Sequence, residues 1–317
     1  MSAFVKRFGR PAVTTTVVTL SVLLFALLVM VAVRGARSST ASPTPRTGVA
    51  PIEAYRGLGT WVDLWDAKAW RNPKAAVADM ARHGVRTLYI QTGSSRSLGG
   101  VANGTALSTF ITEAHARKMY VVAWYLPSLK ANSVDYTRVM QAVNFKTPGG
   151  QYMDSFALDI ESTAVHPVSL RNRRLAALSA KIRSQVGTGY PLGGIIPSPV
   201  GLMKHTGFWN VFPYATVAEY YDVILPMAYY TYHGHGAAAA YSDASANMSI
   251  LRTQPGCSEV PVHMIGGLAG KSTAPEMAKF SIATSETGCV GASAYDWVGM
   301  NSAKWAALGA PWTGPSQ

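Results

Sequence analysis

Acidic residues are missing from the first fifty positions of this 317-residue sequence, and from Ala12 to Val33 there is no charge of either sign. That uncharged run of 22 residues contains VVTLSVLLFALLVMVAV and is long enough to cross a bilayer as a helix. A cleaved signal peptide is the competing reading. Its apolar region would usually be about 7–15 residues, ending in a small-x-small site. Here the run is longer, and Arg34 interrupts the only candidate site around Gly35 and Ala36. An uncleaved anchor is therefore favoured, with secretion after cleavage as the alternative. Lys6, Arg7 and Arg10 precede the run, which leans towards a cytoplasmic N-terminus and an extracytoplasmic C-terminal domain.

Cysteine is scarce too: Cys257 and Cys289 are the only two, which excludes a disulfide framework. A basic stripe interleaved with aromatics is absent. Six of the 28 Lys and Arg precede residue 51, so the formal net charge of +12 falls to +6 for residues 51–317. Arg171, Arg173 and Arg174 read as a solvated helix face, and a nucleic-acid partner is not expected. His233 and His235 lie in a Gly-rich loop without a third His or Cys, so they read as loop lining and no metal is expected. The glycine cluster 266–270 has no following Lys-Ser/Thr, so no phosphate loop and no cofactor is expected.

Four segments result: a basic N-terminus (1–11), a transmembrane anchor (12–33), a Ser/Thr/Pro-rich linker (34–53) and a folded domain (54–317). In the last, β-rich runs alternate with helix-period runs eight times. The expected strands are 59–65, 85–93, 120–126, 154–162, 191–199, 221–230, 260–270 and 290–298. Asn72-Pro73 opens a helix that Gly84 closes. Eight such units in about 260 residues predict an α/β fold, a (β/α)8 TIM barrel preceded by one N-terminal transmembrane helix. A doubly wound open sheet would more often carry a Gly-rich turn after the first strand, and DLWDAKAW (63–70) is not one. In a barrel Cys257 and Cys289 precede neighbouring strands at the bottom rim, so a Cys257–Cys289 disulfide is expected there.

Chemistry in such a barrel gathers where strands end. Those positions supply Asp63 and Trp65, Gln91, Trp124, Asp159 and Glu161, Tyr229 and Tyr230, and Tyr295 and Trp297. Carboxylates and aromatics suit sugars, whose C–H faces pack on rings and whose hydroxyls bond to acids and amides. Asp159 and Glu161 are two apart on one strand, share a face, and resist simultaneous ionisation, which suits one of them to proton donation.

The stretch Asp154-Ser-Phe-Ala157-Leu-Asp159-Ile-Glu161 resembles the D-x-x-D-x-D-x-E motif on the fourth strand of family 18 glycoside hydrolases, the chitinases and their relatives. Met227-Ala-Tyr229-Tyr230 is similar to their M-x-Y-D, and Trp297 stands near the end of the eighth strand. The resemblance implies Glu161 as general acid, and Asp159 as the group orienting a 2-acetamido substituent whose oxygen attacks the anomeric carbon. It also implies Tyr229 as a hydrogen-bond donor to that substituent and Trp297 as the floor under the sugar. Trp65, Gln91, Trp124, Tyr230, Tyr295 and Asp63 would bind substrate. Ala157 and Tyr230 depart from the motif where it has acids. A barrel that binds sugar without cutting it, and a lysozyme-like muramidase using Asp63 with Asp159 and Glu161, are therefore alternatives. The expected ligand is an N-acetylhexosamine-containing glycan of cell-wall or chitin type.

Overall fold

The structure, a computed structural model, describes residues 51–312. The expected anchor 12–33, the basic N-terminus and all but the end of the linker lie outside them. Among the described residues no helix is long and apolar enough to cross a membrane.

Eight parallel strands close into a barrel in sequence order. They are β1 (Gly57–Val62), β2 (Thr87–Ser94), β3 (Tyr120–Leu126), β4 (Ser155–Asp159), β5 (Leu192–Pro197), β6 (Val223–Met227), β7 (His263–Leu268) and β8 (Gly291–Tyr295). The closing seam pairs Gly57 of β1 with Gly291 of β8. Helices follow the strands, and their ends carry the expected signals. Asn72 caps the helix Pro73–Arg82 by accepting from the Ala75 amide, and Gly84 beyond it takes a φ of 76°. Thr273 and Glu276 form a reciprocal capping box on Ala274–Glu286. The short helices Ala67–Arg71 and Pro199–Lys204 were not legible as helices in the sequence.

Strand alternation divides the apolar residues into two shells. The larger lies between sheet and helices and includes Leu58, Ile90, Phe156 and Phe280. The smaller fills the barrel with Tyr55, Trp61, Tyr89, Trp124, Ala157, Ile195 and Ile265. Tyr55, on the 3₁₀ turn Glu53–Tyr55, plugs the floor and bonds to Ser155 Oγ at 2.6 Å. The carbonyl of Tyr55 faces His263 Nδ1 at 2.8 Å, so that nitrogen carries the ring proton. Nε2 then accepts from Ser293 Oγ (3.0 Å), which itself accepts from Trp61 Nε1 (2.8 Å). Burial pushes the His263 pKa down to about 4, which keeps this buried chain neutral.

Two expectations are corrected. Cys257 and Cys289 are free, buried thiols and form no bridge. They do precede neighbouring strands, but Cys257 Sγ turns towards the Tyr214 and Pro255 carbonyls (4.0 and 3.7 Å), a direction that strand order alone does not fix. Arg171 is no solvated residue either. It is 1% exposed, bonds to the carbonyls of Val165 (3.1 Å) and Phe208 (3.0 Å), and lies over the Trp209 ring at 4.6 Å.

Candidate active site

Asp159 is the last residue of β4, and the next amide, Ile160, still bonds to Ile195 of β5 at 2.8 Å. The strand alternation therefore carries on to Glu161, with Ile160 in the outer shell and the two carboxyls towards the barrel mouth. Asp159 is 6% exposed, and its Oδ1 is buried without a hydrogen-bond partner among the described residues. Burial, and then the charge of Glu161, push its pKa well above the usual carboxylate range. Burial also raises that of Glu161. Two acids that both hold protons more tightly than in water are suited to proton donation above the ordinary carboxylate range.

Tyr229, just after β6, has its proton affinity raised by burial and then by the charges of Asp159 and Glu161, which puts its hydroxyl in their field. Its ring is 6.2 Å from that of Tyr295, at the end of β8. The Tyr295 hydroxyl donates to Asp63 Oδ2 at 2.5 Å, so β4, β6, β8 and β1 contribute to one continuous arc. Below it the rings of Trp61 and Trp124 meet edge to face at 5.9 Å. Trp124 pairs in register with Ala157, where the small side chain leaves room for the indole. Its Nε1 is a second buried polar atom without a partner among the described residues. Buried polar groups are almost always bonded, so the unpaired acid oxygen, and the indole N–H below it, have bonding capacity that a ligand could take up.

A groove of about 630 Å³ opens over the ends of β1 to β4, with Glu161, Gln91, Ser128 and Trp65 among its walls. Gln91 Oε1 accepts from the Leu64 amide at 3.0 Å and so fixes the loop after β1. On that loop Trp65 is 81% exposed, a flat apolar face at the rim.

Two expected site residues lie elsewhere. Trp297 does not floor the mouth. Its Nε1 donates to Asp79 Oδ2 of helix Pro73–Arg82 at 3.0 Å, and Lys68 Nζ lies 5.0 Å from its ring. Tyr295, two residues earlier and still on the strand, is the aromatic that turns inward. Tyr230 follows the inward Tyr229 and so points outward; its hydroxyl donates to Ser272 Oγ at 2.9 Å and its ring packs 5.7 Å from Phe280. The sequence reading missed Trp61, although it is two residues from Asp63 and shares its face. His233 bonds to Asp243 at 2.6 Å, and no metal-holding group of three ligands occurs among the described residues.

Asp159 carries a stability prediction. In the folded chain it binds its proton more tightly than in the unfolded chain. The stabilisation is therefore fully present below the unfolded carboxylate pKa and is lost as pH rises through the folded one. Asp159→Asn, neutral throughout, is expected to melt about 2–4 °C above wild type at pH 8, on the order of 1 kcal/mol. The difference should vanish near pH 4. Thermal melts at both pH values check it, and a lower melting temperature at pH 8 would contradict the buried charge.

No protein-family model matches this chain, and no curated protein matches it in sequence. Solved structures do match in fold. A class V chitinase from Pseudomonas fluorescens superposes with a TM-score of 0.57 at 11% identity, over 80% of this chain and 98% of that one. A family 18 chitinase from Cycas revoluta, solved with allosamidin, gives 0.59 at 10% identity, over 80% and 99%. An endo-β-1,4-mannanase from Thermotoga petrophila gives 0.60 at 11%, over 78% and 69%. The domain is thus a closed (β/α)8 barrel similar to those of family 18 chitinases and related glycosidases.

Proposed function

We propose that this protein is a glycoside hydrolase acting on an N-acetylhexosamine-containing glycan of cell-wall or chitin type, held outside the cytoplasm by residues 12–33. The observation that carries the reading is the Asp159–Glu161 pair, with the proton affinity of both acids raised, Asp159 buried and Glu161 in the wall of a groove that Trp65 also lines. Glu161 gives its proton to the leaving glycosidic oxygen as that bond breaks. The 2-acetamido oxygen of the substrate closes on the anomeric carbon, oriented by Asp159 and by the Tyr229 hydroxyl. Water then opens the ring so formed, with Glu161 taking back a proton. A chitinase of this fold has been solved with (GlcNAc)4, which supports the substrate class. Asp63 is fixed by Tyr295 within the same arc, and this favours a second, muramidase-like use of the site in which Asp63 assists.

The test is product release from chitooligosaccharides and from peptidoglycan by the full chain, followed by mass spectrometry. Cleaved oligosaccharides are expected from at least one. Sugar binding without any product would replace the hydrolase reading with that of a glycan-binding barrel.

A further inference from the structure

The cations around the groove fall into two sets. Arg138 and Arg174 are engaged with backbone. Arg138 donates to the carbonyls of Ser95 (2.8 Å) and Ser97 (2.5 Å), and Arg174 to those of Leu129 and Lys130 (3.0 Å each). Arg96 and Lys130 differ: both are exposed, both line the groove, and neither side chain has a hydrogen bond or ion pair among the described residues. The engaged arginines hold the very loops on which the free cations sit, since Arg138 clasps the segment carrying Arg96 and Arg174 the one carrying Lys130.

The second loop is fixed from below as well. Buried Asp135 accepts from the amides of Leu129 (2.9 Å) and Ser128 (3.2 Å) and from the Tyr125 hydroxyl (2.8 Å). Leu129, 1% exposed, is kept at a φ of 59°, a left-handed conformation that costs a non-glycine residue about 1 kcal/mol or more. Long cationic side chains on loops are ordinarily mobile. Here the backbone beneath both is held by these bonds, facing a groove in which Glu161 is the only acid among the described residues. A guanidinium and an ammonium left unpaired on loops whose backbone is held match a carboxylate.

We infer that the groove takes an acidic glycan, one in which a sugar beside the cleaved bond bears a carboxylate that Arg96 and Lys130 pair with while a neighbouring ring stacks on Trp65. This deepens the hydrolase reading and rests on it. The carboxylate belongs either to a uronic acid or to a lactyl ether on the hexosamine.

The test is calorimetric binding to the full-chain Glu161→Gln protein, in which the sugar is not consumed. Three oligosaccharides of equal length serve as probes: a neutral chitooligosaccharide, one alternating N-acetylglucosamine with glucuronate, and a peptide-free peptidoglycan strand whose muramic acid keeps its lactyl carboxylate free. At least one acidic probe is expected to bind tenfold or more tighter than the neutral one, with an advantage that shrinks between 50 and 300 mM NaCl. Whichever acidic probe gains identifies the source of the carboxylate. Adding Arg96→Gln and Lys130→Gln should remove that advantage and leave neutral affinity unchanged. Equal binding of neutral and acidic probes, or an advantage that survives the double substitution, overturns the proposal. If wild type then still cuts chitooligosaccharides, the hydrolase reading stands alone; if no probe is bound or cut, both fall.

Discussion

Glu161→Gln is expected to lower turnover of the cleaved glycan by a thousandfold or more while leaving the fold intact. Glutamine keeps the shape and hydrogen-bonding reach of the side chain but has no proton to give. A positioned general acid contributes about 10²–10⁴ in rate, so a thousandfold loss corresponds to about 4 kcal/mol of transition-state stabilisation. Glu161 is only partly buried, and its side chain makes no hydrogen bond among the described residues. Removing its charge next to Asp159 relieves repulsion, so the melting temperature should hold or rise. The pH profile adds a second reading. Burial raises the Glu161 pKa, so wild-type activity should persist above the ordinary carboxylate range and fall as pH climbs through the raised value. The variant's residual rate should lack that fall. Equal product from both proteins on chitooligosaccharides and peptidoglycan would remove Glu161 from the chemistry.

At the other pole of the barrel, Gly291→Ala should cost about 3 kcal/mol or more. Gly291 opens β8 at the closing seam. An added Cβ would sit 2.6 Å from both the Gly57 and the Tyr55 carbonyl oxygens, and against the His263 ring. Backbone oxygens of the floor have nowhere to retreat, because Tyr55 is tied to Ser155 and His263 to Ser293. Overpacking of this kind exceeds the usual range for an extra methyl group. The expected result is a melting temperature lower by roughly 6–12 °C, or loss of soluble protein. Gly189→Ala is the control, since an added Cβ there meets nothing within 4 Å. Comparable melts for both variants would show that the floor yields.

The barrel itself was legible because two periods alternate along the chain, and all eight strands formed within a few residues of their expected bounds. The face of each side chain was legible only inside a strand. Asp159 and Glu161 share a face because the ladder with β5 continues through Ile160. That logic fails for Trp297, which lies on the 3₁₀ turn Trp297–Gly299 beyond β8, where alternation no longer governs direction. It fails equally for Tyr230, which lies on the 3₁₀ turn Tyr230–Tyr232 beyond β6. Arg96 and Lys130 carry no periodic signal, since loop side chains come together only once Arg138 and Arg174 have fixed the backbone between them.

The unbridged cysteines have a practical consequence. Burial lifts the Cys257 and Cys289 thiols to about 11 and about 12, so almost none of either is thiolate at neutral pH. An alkylating reagent should find them only when the chain around β7 and β8 opens. The rate of labelling then becomes an internal clock for the breathing of that quarter of the domain, readable without introducing any foreign reporter.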